Sequence, residues 1–414
     1  MLPPVLEIYV VWHPSDRKGR QIAQEIVSHF HGTPFTGLMG GAVEVFIRSE
    51  GWATSAGAPR PILLPDIAPP NGVVPAQFTA VMPILGNEMA AAVQPGSGDW
   101  FDYLQAISRS QSANPTRVCI LPYRMDPGVT NGTVLGSIFG SYQAIAAAAP
   151  DEPSDTYEAM RCRDLAQSIM QFLSSTPRLT AFISHTKRSS STDSGDVRAL
   201  IELVRNVIAA THLQEFFDAA DLQPGENWDA ELRDKAGHSA LLALRTDLYP
   251  SREWCQKEFL IAKRCGMPVI TLDALGESEE RGSFLMDHVP RVPVRVVDGT
   301  WVKRDVYRAL NILVDECLKR ALWQRQHELA RDRDDLLVSW WAPHAPEPVT
   351  LAQWLEEAKT AQKLSSGNGL LRILHPDPPL GPDERAVLEQ ILSFGGLGGR
   401  LDVMTPRQLA ARGG

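Results

Sequence analysis

Ser251-Arg252-Glu253-Trp254-Cys255-Gln256-Lys257-Glu258 is the stretch from which the rest of the chain is read. It follows the apolar run Ala240-Leu241-Leu242-Ala243-Leu244 and the loop from Arg245 to Pro250, so it predicts a helix entered from a strand end. Positions i and i+4 share a helix face, which points Trp254 and Glu258 the same way, toward the mouth of a cleft. In open α/β sheets ligands bind at that edge. An aromatic plane beside one carboxylate suits a nucleotide. The ring can stack, and the carboxylate can hold ribose hydroxyls or steady a positive charge that builds during bond breaking.

Upstream lies Leu179-Thr180-Ala181-Phe182-Ile183-Ser184-His185-Thr186, a short apolar strand ending in small polar residues. Glu215-Phe216-Phe217-Asp218 follows, then the turn Asp221-Leu222-Gln223-Pro224-Gly225-Glu226, whose Pro-Gly pair fixes a bend, and a helix from Trp228 to Gly237. In this order the motifs resemble the Toll/interleukin-1 receptor (TIR) family. Phe182-Ile183-Ser184-His185 is similar to its first box. Asp221-Leu222-x-Pro224-Gly225 is similar to the loop after its second strand. Ser251-x-x-Trp254-Cys255-x-x-Glu258 is similar to the helix motif of the NAD-cleaving members. The resemblance covers about residues 178 to 325.

The resemblance implies a flavodoxin-like parallel sheet and an NAD glycohydrolase or cyclase of bacterial immune, anti-phage type, with Glu258 as the essential acid and NAD as substrate rather than cofactor. It implies that Phe182, Ser184, His185, Lys187, Arg188 and Trp254 meet the substrate. It also implies that Asp221, Leu222, Gln223, Pro224, Gly225 and Glu226 form an assembly and gating loop, so that activity rises in a homo-oligomer or filament. A partner sensor protein or a nucleotide signal would supply the trigger. The rivals are a non-catalytic TIR scaffold for protein–protein signalling and a TIR protein that binds a nucleotide signal without cleaving it.

Each residue also has a plainer reading. Most helix glutamates are solvated and paired with a lysine. Trp254 can simply pack beneath its helix, and Cys255 can be a small buried apolar residue. Ser184 can be a strand-end cap. The serine-rich stretch after Lys187 and Arg188 is longer than the family pattern, which bears on any pyrophosphate contact by those two. His185, His212 and His238 lack metal-ligand spacing, so no metal is expected.

Composition narrows the class. The chain has 414 residues, 44% hydrophobic and 21% charged, with a formal net charge of −9. No basic run suggests a nucleic-acid surface. Five scattered cysteines without CxxC spacing argue against a disulfide framework or structural zinc. No apolar run reaches membrane-spanning length, and Met1-Leu2-Pro3-Pro4 does not open a secretory signal, so a cytoplasmic location is expected.

Three units are expected. Residues 1–175 read as a separate α/β unit: strands at Val5–Val11, Val43–Ile47, Phe78–Leu85 and Val118–Leu121, a helix from Asp16 to Phe30, and a Pro/Gly-rich stretch from Gly51 to Pro75 that is loop or a ligand-facing insertion. Two readings of this unit stay open, a degenerate TIR-like copy for sensing or assembly and an unrelated flavodoxin-like sheet. Residues 178–332 form the TIR-like unit, with a last strand at Val292–Val297 and a closing helix from Val302 to about Asp332. Residues 335–414 form a small α/β annex, with strands at Leu336–Val338, Leu370–Leu374 and Leu401–Met404 and a helix from Pro382.

Overall fold

The computed structural model describes residues 5–32, 35, 43–54, 57–65, 75–145, 154–174, 179–186, 196–211, 213–218, 239–276, 278–279, 282–331, 337–361 and 370–412. The chain divides into two compact units. One runs from Leu2 to Leu173 and also takes Glu328–Ala330; the other comprises Ser174–His327 and Arg331–Gly414. Both are mixed α/β with parallel sheets.

In the first unit β1 (Leu6–Val11), β2 (Val43–Arg48), β3 (Phe78–Leu85) and β4 (Val118–Ile120) pair in parallel in the order β2-β1-β3-β4. A short β5 (Tyr123–Arg124) continues alongside the end of β3. Every residue of β1 and β3 is buried, as expected for central strands covered on both faces. The edge strand β2 is less covered, with Val45 buried but Glu44 and Ile47 exposed. The Arg17–Phe30 helix buries Ile22, Ala23, Ile26 and Phe30, a stripe at helical spacing.

The second unit holds β6 (Thr180–Ser184), β7 (Gln214–Asp218), β8 (Ser239–Arg245), β9 (Val269–Asp273) and β10 (Arg291–Pro293). They are parallel neighbours in the order β7-β6-β8-β9-β10. Counted along the chain this is 2-1-3-4-5, the order of flavodoxin-like doubly wound sheets, in which ligands sit beyond the carboxyl ends of the strands. β8 is buried along its whole length. The Val197–Ala209 helix is capped by Asp196, whose carboxylate accepts the Arg198 N–H at 2.9 Å.

Two sequence expectations are corrected. Val292–Val297 is not one strand. β10 stops at Pro293, and β11 (Val296–Val297) turns back on β12 (Thr300–Trp301) through Asp298 and Gly299. Both turn residues have positive φ, 49° and 74°, as a two-residue hairpin of this kind requires. Nor do Leu337 and Val338 of the expected Leu336–Val338 strand begin the third sheet, Leu336 lying outside the described residues. Leu337 has φ 46° and is 76% exposed, so the backbone there is not extended. The strand is instead β13 (Trp340–Trp341), parallel to β14 (Leu371–Leu374), which is parallel to β15 (Leu401–Met404). A Pro348–Thr360 helix, absent from the sequence reading, buries Leu351 and Leu355 against this sheet.

This small sheet belongs to the same compact unit as β6–β10. Lys263, on the Glu253–Arg264 helix, bonds Glu347 at 2.8 Å and the Asp287 carbonyl at 2.8 Å. Both side chains of the ion pair are almost wholly buried, at 4% and 8% exposure.

His375, at the end of β14, is fully buried and donates from Nδ1 to the Pro376 carbonyl at 2.7 Å. Burial pushes its pKa down to about 4, with the nearby His344 adding to the shift. Between that value and the ordinary value near 6.5 the unfolded chain binds a proton that the folded chain does not. Stability from this group is therefore full above pH 6.5, falls as pH drops toward 4, and levels off below. The total is on the order of 3 kcal/mol. Urea unfolding at pH 7 and pH 4.5 checks this: the stability lost between them is expected to shrink by about 2 kcal/mol in His375→Gln. An equal loss in both proteins refutes the assignment.

Candidate functional site

The Glu253–Arg264 helix starts just beyond the end of β8, after a 3-10 turn at Tyr249–Ser251. Its inner face buries Cys255, Glu258, Phe259 and Ala262, at spacings of three and four residues. The apolar members pack on Phe182 of β6 and on Leu241 and Ala243 of β8. Glu258 is drawn into the same interface and is only 3% exposed. The solvated helix glutamate that composition favours is therefore not what the fold makes of this residue. The exposed acid of this helix is Glu253, which pairs with Lys257 at 2.9 Å.

At the carboxyl end of β6, Ser184 meets two of these side chains. Its hydroxyl donates to the Glu258 carboxylate and lies 2.6 Å from the Tyr249 hydroxyl. Since the Ser184 proton is committed to Glu258, Tyr249 must donate to Ser184. Burial raises the Tyr249 pKa well above its ordinary value, and the neighbouring Cys255 and Glu258 add to this, so the phenol keeps its proton. The result is a one-way chain of donors from Tyr249 through Ser184 to Glu258.

Cys255 lies one turn before Glu258. Burial, then the charge of Glu258, pushes its thiol up to about 12. It points at the His185 carbonyl, 3.8 Å away, and is a packed thiol rather than a nucleophile. The imidazole of His185 is half-buried and donates from Nδ1 to the Thr186 carbonyl at 3.1 Å.

Trp254 does not follow the sequence expectation. It is 48% exposed while Glu258 is buried, so it neither packs beneath the helix nor shares the environment of the carboxylate. Four residues advance a helix by about 40° beyond a full turn, and Trp254 stands in the first turn, at the margin of the packed face. Phe182 is buried under the helix as part of the core. Lys187, Arg188 and the whole Asp221–Glu226 loop lie outside the described residues, as does the helix expected from Trp228 to Gly237.

The carboxyl ends of the neighbouring strands carry further polar groups that the sequence reading passed over. Arg245 ends β8 and is paired with Glu279, one of its contacts being 2.7 Å. Asp273 ends β9 opposite Arg245 in the register. Asp247 accepts the Gly276 N–H at 2.8 Å. The signal for Arg245 and Asp273 was available: a polar residue directly after an apolar strand run marks the sheet edge. Among the described residues no group of three or more His, Cys, Asp and Glu side chains is placed to hold a metal ion.

No family model and no curated protein sequence matches the chain. Among the described residues the site is the Glu258 carboxylate, buried at a parallel-sheet edge and held by a hydroxyl relay, with the Cys255 thiol kept protonated beside it.

Tyr249→Phe tests the relay. It removes the donor to Ser184 and leaves the ring in place. The expected cost is about 1–2 kcal/mol in urea unfolding, the range for losing a buried hydrogen bond to a charge-linked group. A change below a few tenths of a kcal/mol contradicts the chain of donors.

Proposed function

We infer that the second unit is a TIR-type domain that cleaves NAD at the bond between nicotinamide and ribose, with Glu258 as the acid that carries the reaction. The supporting observation is the burial of the Glu258 carboxylate at the carboxyl edge of a 2-1-3-4-5 parallel sheet, hydrogen-bonded to Ser184 of β6. The chemistry asks for little more. Nicotinamide leaves from a cationic pyridinium, so the breaking C1′–N bond returns its electron pair to the ring nitrogen and no proton is needed. The sugar carbon becomes oxocarbenium-like. A carboxylate beside it binds ribose hydroxyls and stabilises the positive charge. Water adding at C1′ and losing a proton gives ADP-ribose, and an internal nucleophile gives a cyclic product.

A carboxylate at 3% exposure does not meet a dinucleotide without rearrangement. On this reading the protein at rest is closed, and assembly of copies through the 221–226 loop opens and completes the site, as in an immune protein that waits for a trigger. The same burial favours a second reading. A glutamate already satisfied by Ser184 is also a sound structural element of a non-catalytic TIR scaffold.

Nicotinamide release from NAD by concentrated full-length protein separates the two. Turnover in the wild type that is lost in Glu258→Gln supports cleavage. Equal turnover in both excludes Glu258 as the acid.

A further inference from the structure

The first unit contains a cleft that the Glu258 reading does not use. Its volume is about 690 Å³, within the range of sites for small organic ligands. It lies beyond the carboxyl ends of β1 and β2: Trp12 follows β1, and Ser49 and Glu50 follow β2. The Arg17–Phe30 helix supplies one wall and the loop after β2 the other. Parallel α/β sheets bind ligands on this edge.

Arg20 and Arg60 line the cleft against the single acid Glu50, whereas the Arg48 guanidinium lies over the Tyr9 and Phe46 rings and donates to the Ile47 carbonyl. The Arg20–Glu50 pair, at 3.2 Å, has side chains 59% and 76% exposed, so it contributes little and is readily exchanged for a ligand anion. Trp52 is 65% exposed, which is unusual for so large an apolar surface. Arg60 sits over its ring, 5.2 Å from the centroid. Exposed Ile47 extends the apolar wall.

Two wall residues also carry a buried donor that lacks an acceptor. These donors are the Trp12 indole nitrogen and the Ser49 hydroxyl. Indole and guanidinium nitrogens can only donate. Guanidinium groups bind phosphate oxygens in pairs, and an open indole stacks a flat ring.

We propose that this cleft is a binding site for a 5′-mononucleotide, its base stacked on Trp52 and its phosphate held by Arg20 and Arg60. The site is independent of Glu258. It gives the first unit a ligand-sensing role, whatever the second unit does.

Full-length protein titrated with AMP, GMP, CMP and UMP, followed by calorimetry, tests this. The matching nucleoside and inorganic phosphate serve as the two halves of each ligand. At least one mononucleotide is expected to saturate with a Kd below about 1 mM, roughly tenfold or more tighter than either half. Trp52→Ala and Arg60→Ala are each expected to weaken it about tenfold. Both residues are exposed, so both variants should keep the wild-type unfolding curve. Glu258→Gln should bind as the wild type does, which separates this cleft from the site on the second unit. Saturation by none of the four nucleotides, or wild-type affinity in Trp52→Ala, overturns the proposal.

Discussion

Glu258→Gln is expected to lower nicotinamide release about 10³-fold, a loss of about 4 kcal/mol of transition-state stabilisation. The amide keeps the shape of the side chain and can still accept from Ser184, but it carries no charge to set against an oxocarbenium-like carbon. The drop belongs in kcat rather than KM, because the charge it answers develops only as the bond opens. The surroundings also set a structural cost. Glu258 is buried and hydrogen-bonded, so Gln should destabilise the protein by about 1–2 kcal/mol. Ala should cost more, since it also leaves a void beside Cys255 and Phe259. Gln is therefore the decisive variant, assayed for nicotinamide at a temperature where both proteins are folded by circular dichroism. Release within threefold of wild type would remove Glu258 from the chemistry.

Lys263→Met is expected to be among the most damaging single changes to stability. It strands Glu347, which is 8% exposed, without its cation, and it removes the donor to the Asp287 carbonyl. Breaking one partner of a buried pair costs about 3–5 kcal/mol, because a charge is left desolvated and unpaired. In a unit of this size that is roughly a 10 °C fall in Tm. Glu347 also stands at the start of the Pro348–Thr360 helix, where its N–H bonds the Thr350 hydroxyl at 3.1 Å. The loss should thus include the small sheet, with β6–β10 and β13–β15 unfolding in one transition. Replacing both partners, as Lys263→Met with Glu347→Met, should recover most of the loss, since an apolar pair leaves no buried charge behind. Differential scanning calorimetry decides it: a Lys263→Met transition within 2 °C of wild type would mean the pair is solvated.

The strands were legible because their composition leaves little choice. Ala240–Leu244 and Ile8–Val11 are apolar without interruption, which only a strand or helix covered on both faces accommodates, and their length favours a strand. Val292–Val297 is also rich in valine, though Pro293 and Arg295 interrupt it, and Asp298-Gly299 folds its second half into a hairpin. The turn signal lay just past the run and competed with it. Leu336–Val338 misled for a different reason. An apolar triplet says nothing about backbone φ, and Leu337 is in the left-handed region. The Pro348–Thr360 helix carried a start signal in its proline, but its buried positions are few.

The sequence by itself determined the alternation of strands and helices and the place of Glu258 one turn after Cys255 on a helix that follows β8. Local spacing suffices for that, because helical and extended periods differ. Only the tertiary structure decided that Glu258 faces inward to Ser184 and Tyr249 while Trp254 faces out. It also decided that Lys263 and Glu347, 84 residues apart, share a buried bond. Direction and partnership depend on which neighbours remove water from a side chain, and those neighbours come from distant parts of the chain.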